Sequence, residues 1–124
     1  MFAVLALEVV MIAAAFAWVA CYSLVLRPGG DPALYEAYAE VACPIVSVVA
    51  GVPVFFAAGR WLAHTGLRAV LVTVAAYIAI DLLLIALYPT EHSWYVWLMS
   101  AVSHTTKLAA SCLGVRRAVA TRAA

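Results

Sequence analysis

The chain has 124 residues, of which 69% are hydrophobic and only 10% are charged, and its formal net charge is +1. A soluble domain carries roughly 25% charged residues and has no core large enough for this much apolar surface, so the composition excludes a soluble globular protein. The near-zero net charge also excludes a basic nucleic-acid-binding surface, and the length allows one domain with about four membrane spans of about 20 residues.

Four long apolar segments predict transmembrane α-helices, at about residues 2–26, 34–63, 67–88 and 94–115. Continuous apolar runs of about 20 residues cross the hydrocarbon as helices, whereas a β-barrel needs short segments of alternating polarity. The second segment contains Pro44 and Pro53, so we expect it to be kinked or to begin as a separate amphipathic piece. The predicted fold is an all-α membrane protein in which residues 1–124 form one compact bundle of four transmembrane helices.

The charged residues outside these segments are distributed unevenly. Five arginines fall in or beside the second loop or after the last helix: Arg60, Arg68, Arg116, Arg117 and Arg122. The other two loops hold Arg27 and four acidic residues: Asp31, Glu36, Glu40 and Glu91. Because basic loops face the cytoplasm, we expect both termini to be cytoplasmic and the protein to lie in a bacterial inner membrane. An aromatic belt marks the predicted outer surface, at Tyr88, Trp94, Tyr95 and Trp97.

The third and fourth predicted helices each carry a polar stripe. Positions three and four residues apart share a helix face, which groups Ser100, Ser103, His104, Lys107 and Ser111 on helix four. The same spacing groups Thr73, Tyr77, Asp81 and Tyr88 on helix three. A charged residue at the bilayer centre costs about 2.5–3.5 kcal/mol, so neither stripe faces lipid comfortably. We therefore expect the two stripes to face each other.

Depth along the helices defines a candidate ion or transport pathway. At about 1.5 Å per residue from the outer loop, Asp81 and His104 lie at the same level and Lys107 lies about one turn deeper. The lysine side chain is long enough to reach Asp81, or Glu8 on helix one. The candidate pathway residues are Glu8, Tyr77, Asp81, Ser103, His104 and Lys107. On helix two, Ser47 and Gly51 offer a small-residue contact for a neighbouring helix.

Two functions are consistent with this network. Intramembrane ionisable groups commonly line ion or proton routes, and imidazole side chains titrate near neutral pH, which favours a small, oligomeric transporter or channel with possible proton or ion coupling. Buried polar pairs also hold helices together in lipid, so the alternative is an accessory or assembly subunit of a larger membrane complex, in which the network is a structural clamp. The expected partners are membrane lipid and either further copies of the chain or other membrane subunits, and not nucleic acid.

Enzyme chemistry has little support in the sequence. It contains no recognisable nucleophile motif and no glycine-rich phosphate loop. A membrane-embedded hydrolase that uses Ser103, His104 and Asp81 stays open, although adjacent residues on a helix point about 100° apart.

No metal or other cofactor is expected. His92 beside Glu91 could form a metal site with other acidic groups, but a solvated acidic surface is the simpler interpretation. His64 and His92 lie at opposite predicted membrane surfaces, which argues against bis-histidine haem ligation. The three cysteines lack metal-type spacing and are interpreted as small apolar packing residues: Cys21, Cys43 and Cys112.

Four short helices with a membrane-embedded glutamate in the first are similar to the small multidrug-resistance transporters. The resemblance covers Glu8 and the overall size. The charged third and fourth helices depart from the pattern of that family, so the resemblance implies no substrate or mechanism for this chain.

The charge distribution predicts a labelling pattern. Single cysteines introduced at Thr90 and Thr121 should differ in their accessibility to a reagent outside the cell, because Thr90 is expected outside and Thr121 in the cytoplasm. A membrane-impermeant maleimide added to intact cells should label the first and not the second. The reverse pattern would overturn the predicted orientation.

Overall fold

The computed structural model describes residues 2–87 and 93–123, and nearly all of them are helical. Helix α1 spans Phe2–Cys21 and continues as a π-helical turn, Tyr22–Leu26. Helix α2 spans Pro32–Leu62 and ends in a 3₁₀ turn, Ala63–Thr65, while α3 spans Leu67–Leu87 and α4 spans Trp94–Ala123. No strand occurs within these ranges, so the all-helical prediction is confirmed for the described part of the chain. Helix α4 continues past residue 115, where the sequence placed its end.

Three helical segments are long and apolar enough to cross a membrane: Phe2–Leu26, Pro32–Thr65 and Leu67–Leu87. The chain is therefore an integral membrane protein with transmembrane helices. Helix α4 is long enough, with 30 residues, but its polar stripe lowers its mean hydropathy below that of the other three.

The α1–α2 connection is a compact hydrogen-bonded turn. The Asp31 side chain accepts a hydrogen bond of 3.0 Å from the Ala33 backbone N–H and so caps the first turn of α2. The Tyr35 hydroxyl donates to the Arg27 carbonyl oxygen and accepts from the Gly30 N–H, both at 2.6 Å. These bonds start α2 at a defined point and hold the turn against it.

Helix α2 is continuous through Pro44 and Pro53. A separate amphipathic piece before the membrane segment, which was one of two expectations, is therefore wrong. Each proline removes one N–H donor from the helix, but the remaining hydrogen bonds and the packing of α2 against its neighbours maintain the helix.

Helices α2 and α4 approach most closely, and glycine makes this possible. A Cβ atom on Gly59 would overlap the backbone carbonyl oxygen of Ser111, and one on Gly114 would overlap that of Phe56. Small residues permit this backbone contact in lipid, where helices gain little from hydrophobic association. Gly51 is likewise buried, against the aliphatic part of Lys107, which confirms the contact expected at this position.

The bundle has two chemically different ends. Consecutive helices run antiparallel, whereas α2 and α4 run parallel, with Ser47 beside Ser103 and Phe55 beside Ser111. The two ends of the described chain and the α2–α3 turn therefore lie at one end of the bundle, called here the terminal end, and the α1–α2 turn lies at the other, called the connection end. The terminal end carries exposed arginines: Arg60, Arg68, Arg116, Arg117 and Arg122.

The glycine contacts predict a position-specific effect on stability. Gly59→Leu or Gly114→Leu should force α2 and α4 apart and destabilise the bundle by about 1–3 kcal/mol, the usual cost of overpacking. Thermal unfolding in detergent measures the loss. Ala57→Leu is the matched control, because Ala57 is on the same helix but exposed. Equal melting temperatures for all three variants would contradict the close contact.

Candidate functional site

Lys107 lies at the centre of the polar contacts between the helices. It is on α4 and its side chain is fully buried, with 0% exposure. Its Nζ donates to the Ser47 hydroxyl of α2 and to the Tyr77 hydroxyl of α3, both at 2.9 Å. The amine also lies 4.9 Å from the centre of the Tyr77 ring and 5.7 Å from that of Phe55, within range of cation–π attraction. One side chain therefore joins three helices.

The partners of Lys107 differ from those expected. In the described part of the chain, its amine forms no ion pair with Asp81 or Glu8. Tyr77, one turn from Asp81, provides a hydroxyl that the lysine reaches directly. The sequence identified Ser47 only as a small packing residue and missed it as a hydrogen-bond acceptor.

A signal for the α2 contact was present in the sequence. Ser47, Gly51 and Phe55 are spaced four residues apart. This spacing places a hydroxyl, a position without a side chain and an aromatic ring on one helix face. In the structure, this face receives the Lys107 side chain, and the Phe55 carbonyl accepts a 3.3 Å hydrogen bond from Ser111.

Asp81 and His104 form the ion-pair contact seen between α3 and α4. His104 Nε2 lies 2.8 Å from Asp81 Oδ2, which confirms that the two residues lie at the same depth. When Asp81 is ionised, its carboxylate accepts hydrogen bonds and does not donate them, so the donor in this contact is Nε2–H. The other ring nitrogen, Nδ1, lies 3.3 Å from the Ser100 hydroxyl.

The hydroxyl next to His104 is that of Ser100 and not Ser103. Ser103 is buried and its hydroxyl lies 3.0 Å from the Ser47 hydroxyl, on the Lys107 side. Ser103 is therefore not placed for activation by His104. Around Ser100, the backbone N–H groups donate within α4, so they do not form an oxyanion hole. These contacts do not favour hydrolase chemistry.

Glu8 is the exceptional member of the group. It lies on α1 and is 6% exposed, yet its Oε1 atom is buried without a hydrogen-bond partner. Buried polar atoms nearly always have such a partner, and an unpaired carboxylate is expensive in an apolar surrounding. Among the described residues, Glu8 Oε1 is therefore the buried side-chain atom whose hydrogen-bonding capacity is unused.

Glu8 lines a cleft of about 240 Å³ to which all four helices contribute. Its polar lining residues are Glu8, Ser47, Tyr77, Asp81, Ser100 and Ser103. The order of residues along each helix places Glu8, Ser47, Tyr77 and Ser103 at the inner floor, towards the terminal end. The walls towards the connection end are apolar, and Cys43 is part of them. The structure thus brings four of the six predicted pathway residues to one cleft: Glu8, Tyr77, Asp81 and Ser103. The other two lie behind the lining, where His104 contacts Asp81 and Lys107 contacts Tyr77.

The remaining sequence expectations concern more peripheral residues. The structure contains no cluster of three metal-ligating side chains within residues 2–87 and 93–123. Tyr88, Glu91 and His92, which were assigned to the predicted belt and the considered metal site, lie outside the described residues. Cys21 is exposed, which contradicts its interpretation as a core residue, because the α1 face that carries it has no helix packed over it.

Comparisons with known proteins give no assignment. No family model matches the chain, and no significant similarity to a curated protein or a solved structure was found.

The Lys107 contacts predict a pairwise energetic coupling. Tyr77→Phe should destabilise the protein by about 1–3 kcal/mol, because it removes a hydrogen-bond partner of a buried amine. The same change should cost much less in a Lys107→Met background, where no amine requires an acceptor. Thermal or denaturant unfolding of the four proteins in detergent gives the coupling energy.

Asp81→Asn provides the control for this cycle. Asp81 does not contact Lys107, so its coupling to Lys107→Met should be smaller than that of Tyr77→Phe. A larger coupling for Asp81 would indicate that the lysine pairs with the carboxylate after all.

Proposed function

We propose that this protein is a small membrane transporter whose ionisable groups, Glu8, Asp81, His104 and Lys107, respond to protons or ions during transport. The observation that carries the proposal is the cleft that reaches both intramembrane carboxylates. A purely structural clamp satisfies its polar groups internally, whereas Glu8 lines the cleft and its buried Oε1 has no hydrogen-bond partner among the described residues.

The closed floor of the cleft favours a carrier over an open channel. Phe55, Tyr77 and Lys107 are each less than 2% exposed. Tyr77 is part of the floor, and the other two lie below it. Beyond them, the glycine contacts bring α2 and α4 together. A solute in the cleft would therefore have access to one side at a time, as alternating access requires.

The direction of the α4 side chains supports a fourth membrane crossing. The residues that lower its hydropathy point inward, since Ser103, His104 and Lys107 are all buried. Its outward face is apolar and includes Leu98, at 50% exposure, and Leu113, at 56%. A helix of 30 residues is about 45 Å long, which exceeds a hydrocarbon thickness of about 30 Å.

The arginines of the terminal end support cytoplasmic termini in a bacterial inner membrane. In that orientation, the apolar walls of the cleft lie on the periplasmic side of Lys107. The state described here would then be closed towards the cytoplasm.

An accessory or assembly subunit is the competing function. Fewer than a quarter of the residues are buried in the most apolar window of each spanning segment, so most of the helix surface is available to lipid, further copies or other subunits. Assembly as a homo-oligomer is compatible with both functions. The two differ in whether the carboxylates of the cleft are needed for activity.

Reconstitution into liposomes tests the transport function. With an imposed pH gradient and a potential clamped by potassium and valinomycin, the wild-type protein should accelerate proton flux read from trapped pyranine. Glu8→Gln should reduce this flux at least tenfold, because it removes the unpaired carboxylate. Glu40→Gln is the matched control, since it removes the same charge from an exposed position.

His104→Gln provides a second measurement on the same liposomes. It should shift the pH dependence of flux, because the substitution removes a titratable imidazole from its contact with Asp81. Glu8 and His104 variants that are folded and as active as the wild type would support the accessory-subunit function instead.

A further inference from the structure

The terminal end of the bundle carries positive charge that no described carboxylate contacts. Its five exposed arginines form no ion pair within the residues that the structure describes. The described carboxylates lie elsewhere, since two of them line the cleft and three lie at the start of α2, at the connection end: Glu8, Asp81, Asp31, Glu36 and Glu40. The surface of the terminal end is therefore complementary to an anion.

The contact between α2 and α4 brings two of these arginines together. The two helices run parallel, and residues joined across them by hydrogen bonds differ by 56 positions. This offset places Arg60 at nearly the same level as Arg117. A Cβ atom on Gly114 would lie 3.0 Å from the Arg60 backbone nitrogen, so the two backbones touch at this level. The contact holds two like charges on adjacent helices, where they repel each other.

Arg60 and Arg117 lie on the same side of the helix pair. Arg60 follows Gly59 by one residue, which rotates it by about 100° from the contact with α4. Arg117 follows Gly114 by three residues, which places it about 60° from the contact with α2 in the opposite sense. Because the helices are parallel and face each other, opposite rotations lead to the same side. The two exposed arginines therefore flank one groove between α2 and α4.

The groove continues along the helices with apolar side chains. Phe56 lies one turn before Arg60 and Leu113 one turn before Arg117, so each shares the helix face of its arginine. Leu113 is 56% exposed. Trp61 follows Arg60 and is 64% exposed, near the end of α2, and tryptophan is typical of the membrane–water interface. A ligand with both an anionic group and a hydrocarbon chain fits this sequence of side chains.

The chemistry of the groove selects among anions. A guanidinium group donates two parallel hydrogen bonds, which match the oxygen atoms of a phosphate. Inorganic phosphate would leave the apolar part of the groove unused. A zwitterionic phospholipid has the hydrocarbon, but its cationic headgroup opposes the arginines. An anionic phospholipid supplies both the net charge and the acyl chains, and basic sites between transmembrane helices bind such headgroups.

We propose that this groove, formed by Phe56, Arg60, Leu113 and Arg117, binds an anionic phospholipid. The phosphodiester lies between the two guanidinium groups, and an acyl chain lies against the two apolar side chains. None of the four residues lines the cleft. The lipid site therefore goes beyond the proposed transport function and does not depend on it.

Competition between two lipids tests the groove. Full-length protein in detergent micelles is mixed with equal amounts of phosphatidylglycerol and phosphatidylcholine that have the same acyl chains, and native mass spectrometry counts the lipids that stay bound. Wild-type protein should prefer phosphatidylglycerol. The double variant Arg60→Gln with Arg117→Gln should lower this preference about tenfold or more, because it removes both groups that bind the phosphate. Equal retention of the two lipids by the wild type would overturn the proposal.

A second double variant separates the groove from the general charge of the terminal end. Arg68→Gln with Arg122→Gln removes the same charge from exposed positions at the same end and should keep the wild-type preference. An equal loss in the two double variants would indicate a diffuse attraction and overturn the groove. The single variants Arg60→Gln and Arg117→Gln keep the site testable if the double variant fails to fold. Each should lose part of the preference, and an unchanged preference in both would contradict the site.

A soluble headgroup distinguishes a lipid site from a phosphate site. Glycerophosphoglycerol has the charged headgroup of phosphatidylglycerol and no acyl chain, so a large molar excess should leave the bound lipid in place. Full displacement would indicate a site for soluble phosphate esters and would overturn the assignment to a lipid.

Discussion

The burial of one lysine constrains the rest of this structure. Lys107 has no contact with water in the bundle, so its amine needs acceptors from neighbouring helices. Ser47 on α2 and Tyr77 on α3 supply them, and Gly51 leaves room for the methylene chain. The rotation of α4 about its axis places the amine within hydrogen-bond distance of both hydroxyls.

That rotation explains how α4 can have a lower mean hydropathy than the other three helices and still expose an apolar face. Four of its polar residues are buried on the face fixed by Lys107, namely Ser103, His104, Lys107 itself and Ser111, whereas Leu98 and Leu113 are exposed. Average hydropathy counts both faces equally, whereas lipid contacts only one. The mean hydropathy of α4 is therefore low, although its exposed face is apolar.

The sequence predicted the helical architecture and most of the polar centre, but not the detailed pairing. Helix spacing and a common depth were sufficient to predict the contact between Asp81 and His104, since both side chains are short and meet only when they lie at the same depth. The partners of Lys107 were harder to predict, because its flexible four-carbon chain reaches several acceptors and the sequence favoured the charged ones. The unpaired state of Glu8 depends on three-dimensional packing, so no pattern in the chain could reveal it.

If the proposed transport function holds, the structural and transport roles of the polar centre are separable within this arrangement. Lys107 and its acceptors hold three helices together below the floor, while Glu8 remains unpaired above it. Opening towards the terminal end would require separation of contacts around Lys107, yet the backbone contacts at Gly59 and Gly114 fix α2 to α4. The α2–α4 pair is therefore the rigid half of the bundle. In the proposed transporter, a change in access would come from α1 and α3 moving against it, and these are the helices that carry the two carboxylates.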